Sequence, residues 1–438
     1  MNPLGRRDFV RTTAAALGGL TFRPRVGQGD WKTWRVNGPR VNQHLTALSR
    51  FGANPQGGVS RVAFSQADIA ARAFAVDLMR QTGLDARIDP VGNLIGTRAG
   101  TEPGTLPILF GSHIDSVPEG GNYDGDVGSM SAIEVAQTLA ERGYRNRHPL
   151  HVAIWCDEES GLTGSRGYIG DLPAEELRRP GRDGVSLADK IRRIGGDPDR
   201  VAEARHPPGS VASYVELHIE QGGILDETGI QIGIVEGIVG IHHYDVTIKG
   251  FANHAGTTPM DRRRNAMLAA AELVLTVDRV VRSVEGRQVG TVGRLLVKPG
   301  APNVIPGQVD LTVELRDLST EKIERLWSQI HAEAVATAQK YDVTLDYALQ
   351  HTNPPALSTP AVRAVIADAV RGLGLSSQVM PSGAGHDAQD LARIGPMGMI
   401  FVPSVKGISH SPVELTRPED VTNGANVLLQ TVLRLDQR

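Results

Sequence analysis

Cysteine is almost missing from this sequence: Cys156 is the one thiol in 438 residues. An internal disulfide framework and a thiolate-held zinc site are both excluded. Any metal bound here must be held by His, Asp and Glu. A basic excess is missing too. Lys and Arg total 46 against 49 Asp and Glu, for a formal net charge of −3, so the cationic footprint of a nucleic-acid or membrane-surface protein is lacking. No apolar run reaches the roughly 18 residues that a membrane-spanning helix needs. Internal repeats and low-complexity segments are also absent.

What is present describes a large folded chain. Hydrophobic residues make up 40% and charged residues 22%, which is enough to bury a core and argues against disorder. The length predicts two or three domains. Fifty glycines and 26 prolines point to many sharp turns between short elements.

The N-terminus reads Gly5-Arg6-Arg7-Asp8-Phe9-Val10-Arg11 and then an uncharged, weakly apolar stretch from Thr12 to Phe22. Its position and pattern resemble a twin-arginine export signal. Residues 1–35 are therefore expected to be a leader, and the mature protein to be periplasmic. That route carries proteins already folded, which suits an enzyme loaded with metal in the cytoplasm.

Beyond the leader, strand-like and helix-like segments alternate. Leu106–Phe110, Leu150–Cys156, Tyr214–Ile219 and Met397–Val402 are short apolar runs, read as buried strands of a mainly parallel sheet. Each run stops where polar groups begin, and ligand sites of open α/β sheets lie beyond the carboxyl ends of such strands. From 230 to 345 the rhythm changes. The order there is β-α-β-β-α-β, the ferredoxin-like split motif. The expected fold class is α/β: a catalytic domain (36–229 and 346–438) interrupted by an inserted ferredoxin-like α+β lid domain (230–345).

Four histidines sit in polar clusters at strand ends or just beyond: His113, His218, His386 and His410. His113 is followed by Asp115, whose carboxylate is expected to hold the imidazole from behind. Asp124 lies in a glycine-flanked run, Gly120-Gly121-Asn122-Tyr123-Asp124-Gly125. Glu158 and Glu159 follow an apolar strand directly, where like charges are costly without a cation. A lone histidine at a strand end is ordinarily a satisfied polar residue, but several such clusters together point to two divalent metals. Nitrogen and oxygen donors without thiolate suit zinc, manganese or cobalt. His242 and His243 are read as structural, and His44, His148, His151, His206, His331 and His351 receive no role.

The motifs Gly111-Ser112-His113-Ile114-Asp115-Ser116-Val117, Gly120 to Gly125, His218-Ile219-Glu220-Gln221-Gly222 and Ser409-His410-Ser411-Pro412 resemble, in combination, the amidase/hydantoinase/carbamoylase family. That family comprises N-carbamoyl-L-amino-acid hydrolases, allantoate amidohydrolases and β-ureidopropionases, within the dinuclear-metal aminoacylase and carboxypeptidase superfamily. The resemblance covers about residues 38–435. It implies that His113, Asp124 and His218 hold one metal, that Asp124, Glu159 and His410 hold the other, and that Glu158 is the general base. It implies a transition-state donor in His254, acting across a homodimer formed by the inserted domain. Gln221, Asn303, Arg316 and Gly385 match substrate-binding positions, with Arg316 suited to a substrate carboxylate, and Asp115 and His386 stand behind the ligands.

Two stretches depart from the family pattern. Relatives usually follow the glutamate pair with glycine and then an Arg-Phe, where this chain has Ser160-Gly161-Leu162-Thr163-Gly164-Ser165-Arg166. Asn265 stands where an acid is common. The expected activity is hydrolysis of a linear C–N bond in an N-carbamoyl or ureido acid. Its alternatives are an aminoacylase or dipeptidase of the same superfamily, and an exported small-molecule binding protein without turnover.

Overall fold

The computed structural model describes residues 30–181 and 183–438, so the leader read at 1–35 lies, up to residue 29, outside the described residues. Thirteen strands are present among the described residues: β1 Asp85–Ile88, β2 Leu94–Arg98, β3 Ile108–His113, β4 Leu150–Trp155, β5 Ser213–Ile219, β6 Ile232–Ile238, β7 Gly240–Lys249, β8 Val289–Lys298, β9 Gln308–Asp317, β10 Thr344–Asn353, β11 Ala356–Leu357, β12 Ser377–Ser382 and β13 Met397–Val402. Nine of them form one sheet in the order β1-β2-β4-β3-β5-β13-β6-β11, with β12 beside β6. The four central strands β4, β3, β5 and β13 run parallel, in registers that set His113 opposite Trp155 and His218 opposite Phe401.

These strands read as continuous apolar runs because both of their faces are buried. Ile108, Phe110, Val152, Ile154 and Ile400 pack under the helices Asp126–Glu141 and Pro418–Leu435. The alternate residues Leu109, Ala153, Trp155, Met399 and Phe401 fill the opposite layer. Each buried Val, Leu, Ile, Met or Phe side chain among them contributes about 1.5–3 kcal/mol relative to exposure. Arg61 is a buried exception. Its guanidinium reaches Asp126 Oδ2 at 2.5 Å and the carbonyls of Ile114, Leu48 and Phe51, and so it pins the first residue of the helix that follows Asp124.

The second sheet is four-stranded, antiparallel and ordered β10-β7-β9-β8. With strands taken in chain order that is 4-1-3-2, the ferredoxin-like arrangement. On β7 and β9, alternate residues (Tyr244, Val246, Ile248; Val309, Leu311, Val313, Leu315) pack beneath the helices Ala266–Ser283 and Thr320–Lys340. Trp327 stacks on Tyr244 with ring centroids 3.7 Å apart. The sheet begins at Gly240 and ends at Asn353, not at the expected 230 and 345. β6 belongs to the large sheet because its backbone pairs with β13 and β12, partners distant in sequence. β10 runs on to Asn353 because it pairs with β7 from Lys249 back to Ile241.

Candidate metal centre and active-site cleft

Parallel strands end on the same edge of their sheet, and this is what gathers the polar residues. His113 closes β3, His218 lies near the end of β5, Glu158 and Glu159 open the short helix after β4, and His410 follows β13 in a loop. Asp124 stands among them. Its Oδ1 lies 3.1 Å from His218 Nε2 and 3.7 Å from His113 Nε2, and its Oδ2 lies 3.2 Å from His410 Nε2. His410 Nε2 is also 3.4 Å from Glu159 Oε2. Two donor groups share Asp124, His113–Asp124–His218 and Asp124–Glu159–His410, and Glu216, His218 and His386 form a third, fully buried one among the described residues.

The hydrogen bonds behind the histidines show that these groups suit cations. His113 Nδ1 lies 3.0 Å from the carbonyl of Asp115, and His218 Nδ1 2.9 Å from that of Ile219. A carbonyl only accepts, so Nδ1 carries the proton and Nε2 turns a lone pair toward Asp124. Glu159 Oε1 is buried and meets no hydrogen-bond partner among the described residues. Lone pairs and carboxylates facing one another in a buried space need positive charge between them. With protons as the only cations, burial would lower His218, but its hydrogen bond to Asp124 overrides this and raises it to about 9. The same carboxylate raises His410 to about 9. Burial pushes Glu159 up to about 8, and burial with Asp387, Glu159 and Asp124 nearby pushes Glu158 well above the usual carboxylate range. Burial, with His218 nearby, pushes His113 down to about 4.

The surrounding residues hold these donors in place. The Asp115 carboxylate does not take the role expected of it. It stands 3.8 Å from His113 Nδ1 and instead accepts the backbone N–H groups of Glu158 and Glu159, each at 3.3 Å, because the backbone carbonyl of Asp115 already occupies the imidazole. Glu414 carries no motif in the sequence that marks it as part of the site. This buried carboxylate accepts the N–H groups of Tyr123 and Asp124 at Oε1, and Ser409 Oγ–H and the His410 N–H at Oε2. Ser409 Oγ also lies 3.1 Å from Asp124 Oδ2. Gly125 has φ +66°, and a Cβ there would meet the His113 ring at 2.4 Å. Asp157, Gln221 and His410 adopt left-handed backbone at φ 58°, 57° and 53°, each a strain of order 1 kcal/mol or more that the packing must offset.

A cleft of about 1340 Å³ opens over these donors, lined in part by Glu158, Gln221, Arg316, Gly385 and His386. Gln221 Nε2 donates to Asp124 Oδ2 at 2.7 Å. His386 sets its ring 4.5 Å from that of His218 and bonds Ser382 Oγ at 2.8 Å. His254 and Asn303 stand together but elsewhere: His254 bridges Val304, and the Ala255 N–H donates to the Asn303 carbonyl. Both are exposed on the small domain, and neither lines this cleft. Ser160, Gly161, Leu162 and Arg166 form one wall, where Arg166 pairs with both oxygens of Glu176 at 2.8 Å.

Residues 109–434 match the peptidase family M20/M25/M40. The chain belongs to that family. It is 42% identical over 407 residues to an N-carbamoyl-L-amino acid amidohydrolase of Geobacillus stearothermophilus, covering 92% of this chain and 99% of the relative. A ureidoglycolate hydrolase of Arabidopsis thaliana is 38% identical, with 91% and 87% covered. Among solved structures, an amidase of the hydantoinase/carbamoylase family from Burkholderia multivorans superposes with a TM-score of 0.86 at 34% identity, covering 92% of this chain and 99% of that one. The M20 family is metal-dependent, and with its donor groups this member is a metal-dependent amidohydrolase.

Proposed function

We propose that the chain hydrolyses the linear carbamoyl C–N bond of an N-carbamoyl amino acid or a related ureido acid such as allantoate or β-ureidopropionate. The observation that carries this reading is the cleft, which joins two donor groups sharing Asp124 to an arginine suited to a carboxylate. His113, Asp124 and His218 would hold one divalent ion, and Asp124, Glu159 and His410 the other, with zinc, manganese and cobalt all compatible with the donors. Ions held there would lower the pKa of a water from 15.7 toward about 7, which would supply a nucleophile at neutral pH.

The protein's own groups do the rest. Glu158 accepts the proton of the attacking water and passes it to the leaving nitrogen. Arg316 receives the substrate carboxylate, while Gln221 and the backbone at Gly385 line its path. Water adds across the bond; a carbamoyl group leaves as ammonia and carbon dioxide, and an amino acid remains.

His254 acts from a partner subunit. Its Nδ1 accepts the N–H groups of Gly256 and Thr257 at 3.0 and 3.2 Å, so Nε2 carries the proton and offers it outward as an oxyanion donor. The small domain exposes Phe251, Met260, Leu275, Val289 and Leu296, an apolar population that supports a homodimer. Asn303, beside His254, would meet substrate in the same way. Export by the twin-arginine route to the periplasm completes the proposal.

The test is turnover of a panel of N-carbamoyl amino acids, allantoate, β-ureidopropionate, N-acetyl amino acids and dipeptides after loading with manganese, cobalt or zinc. A carbamoyl or ureido acid is expected to be the best substrate. Faster cleavage of acyl or peptide bonds would move the enzyme to the aminoacylase or dipeptidase reading.

A further inference from the structure

We infer that Glu314 is a positioning residue that aims Arg316 at the substrate carboxylate, a role that rests on reading Arg316 as the carboxylate receiver. Glu314 and Arg316 are two apart on β9 and so project from the same face, the one away from the covering helices. Glu314 Oε1 accepts the Arg316 Nε–H at 2.7 Å. Arg316 Nη1 donates to the Gly383 carbonyl, also at 2.7 Å, across the seam between the two sheets. A guanidinium is planar, so fixing Nε and one Nη fixes its plane. No described residue accepts from Nη2, and Arg316 lines the cleft that holds Glu158, Gln221 and Gly385.

The other oxygen of Glu314 is anchored as well. His243 stands opposite Glu314 in the β7–β9 register and sets Nε2 2.5 Å from Oε2. Burial alone would raise the Glu314 carboxyl, but the bonds from Arg316 and His243 hold it below its usual range. His243, read from sequence as structural, is therefore the back of a three-residue chain ending in the cleft. An arginine held in advance loses less rotamer freedom when the ligand arrives, and that saving appears as affinity. The anion of Glu314 itself would oppose a second carboxylate nearby. Orientation and charge thus act in opposite directions, and substitution separates them. Glu314→Gln keeps an acceptor for Nε–H and removes the charge, whereas Glu314→Ala removes both.

The experiment measures kcat and KM of the full-length, metal-loaded enzyme on an N-carbamoyl amino acid and on its carboxamide analogue, for wild type, Arg316→Ala, Glu314→Ala and Glu314→Gln. Loss of one charge-assisted hydrogen bond predicts that Glu314→Ala raises KM for the carboxylate roughly 10-fold, with kcat and the carboxamide KM little changed. Glu314→Gln should restore the carboxylate KM to the wild-type value or lower. A rise in KM on both substrates alike, a fall in kcat at constant KM, or failure of Gln to rescue would overturn the inference. Arg316→Ala is the separate check. If it shows no carboxylate-selective loss, the reading of Arg316 fails, and the role of Glu314 fails with it; if it does while Glu314→Ala does not, only the role of Glu314 is overturned.

Discussion

Glu414 and Asp124 are joined across 290 residues of sequence, the Asp124 N–H donating to Glu414 Oε1 at 3.1 Å. The same carboxylate receives the N–H of His410 at 3.3 Å. One buried group thereby clamps the two loops that carry the shared donor and the last histidine. Glu414→Ala should weaken metal binding by about 10–100-fold, the range seen when a group supporting a metal ligand is removed. Competition with a chelator of known affinity measures it. Metal affinity equal to wild type would show that the loops hold themselves.

Metal loading should depend on pH with a definite sign. Histidine ligates only when neutral, and Asp124 holds His218 and His410 protonated up to about 9 when no other cation is present. Apparent affinity should therefore rise as pH increases toward about 9, and protons should be released on loading. Calorimetry in buffers of different ionisation enthalpy counts them. Binding without proton release would contradict the cluster's electrostatics.

Glu158 and Glu159 are neighbours with different proposed tasks. Glu158→Gln should retain metal and substrate affinity while kcat falls roughly 100-fold or more, the scale of a lost general base. Glu159→Gln should instead lower metal content, because the second group in which Glu159 stands loses a charged donor. Elemental analysis beside single-turnover kinetics separates the two.

His254→Ala should reduce kcat with metal retained, by about 3 kcal/mol of transition-state stabilisation. Its test as a partner-subunit donor is complementation. Co-expressed Glu158→Gln and His254→Ala chains, with mixed dimers confirmed by tagged pull-down, should regain activity that neither has alone. Confirmed mixed dimers without recovery would return His254 to its own subunit.

The N-terminal reading has a cellular test. Replacing Arg6-Arg7 with Lys-Lys should retain the protein in the cytoplasm, followed by fractionation. Unchanged delivery to the periplasm would reject a twin-arginine signal.

How far the sequence could be read depended on whether a feature was local. His113, His218 and the Glu158-Glu159 pair each end an apolar run, so strand and donor announce one another within a few residues. The β-α-β-β-α-β order between Gly240 and Asn353 was legible for the same reason, since each element carries its own periodicity. Glu414 left no such trace. It lies in a turn-rich stretch after Pro412, and its importance comes from four donors on two loops that meet it only in space. β6 was misplaced because nothing in Ile232–Ile238 reveals that β13 and β12 will pair with it. The Asp115 carboxylate was misassigned because its nearness in sequence to His113 hid the backbone carbonyl, which lies closer still.

The chain leaves the large sheet after Ile238 and rejoins it at Ala356, and these two residues pair side by side as neighbours on β6 and β11. The chain between them enters and leaves the large sheet at this one pair, with side-chain bonds such as Arg316 to the Gly383 carbonyl crossing the seam. All five proposed metal donors lie outside that stretch, whereas Arg316, Glu314, His243, His254 and Asn303 lie inside it. On the proposed assignment, the groups that hold ions and most of those that receive substrate, Gln221 and Gly385 excepted, are therefore written in separable portions of the gene. Exchanging the one contiguous portion between these paired residues for a relative's would be expected to change which acid is accepted while leaving the ion-binding apparatus as it is.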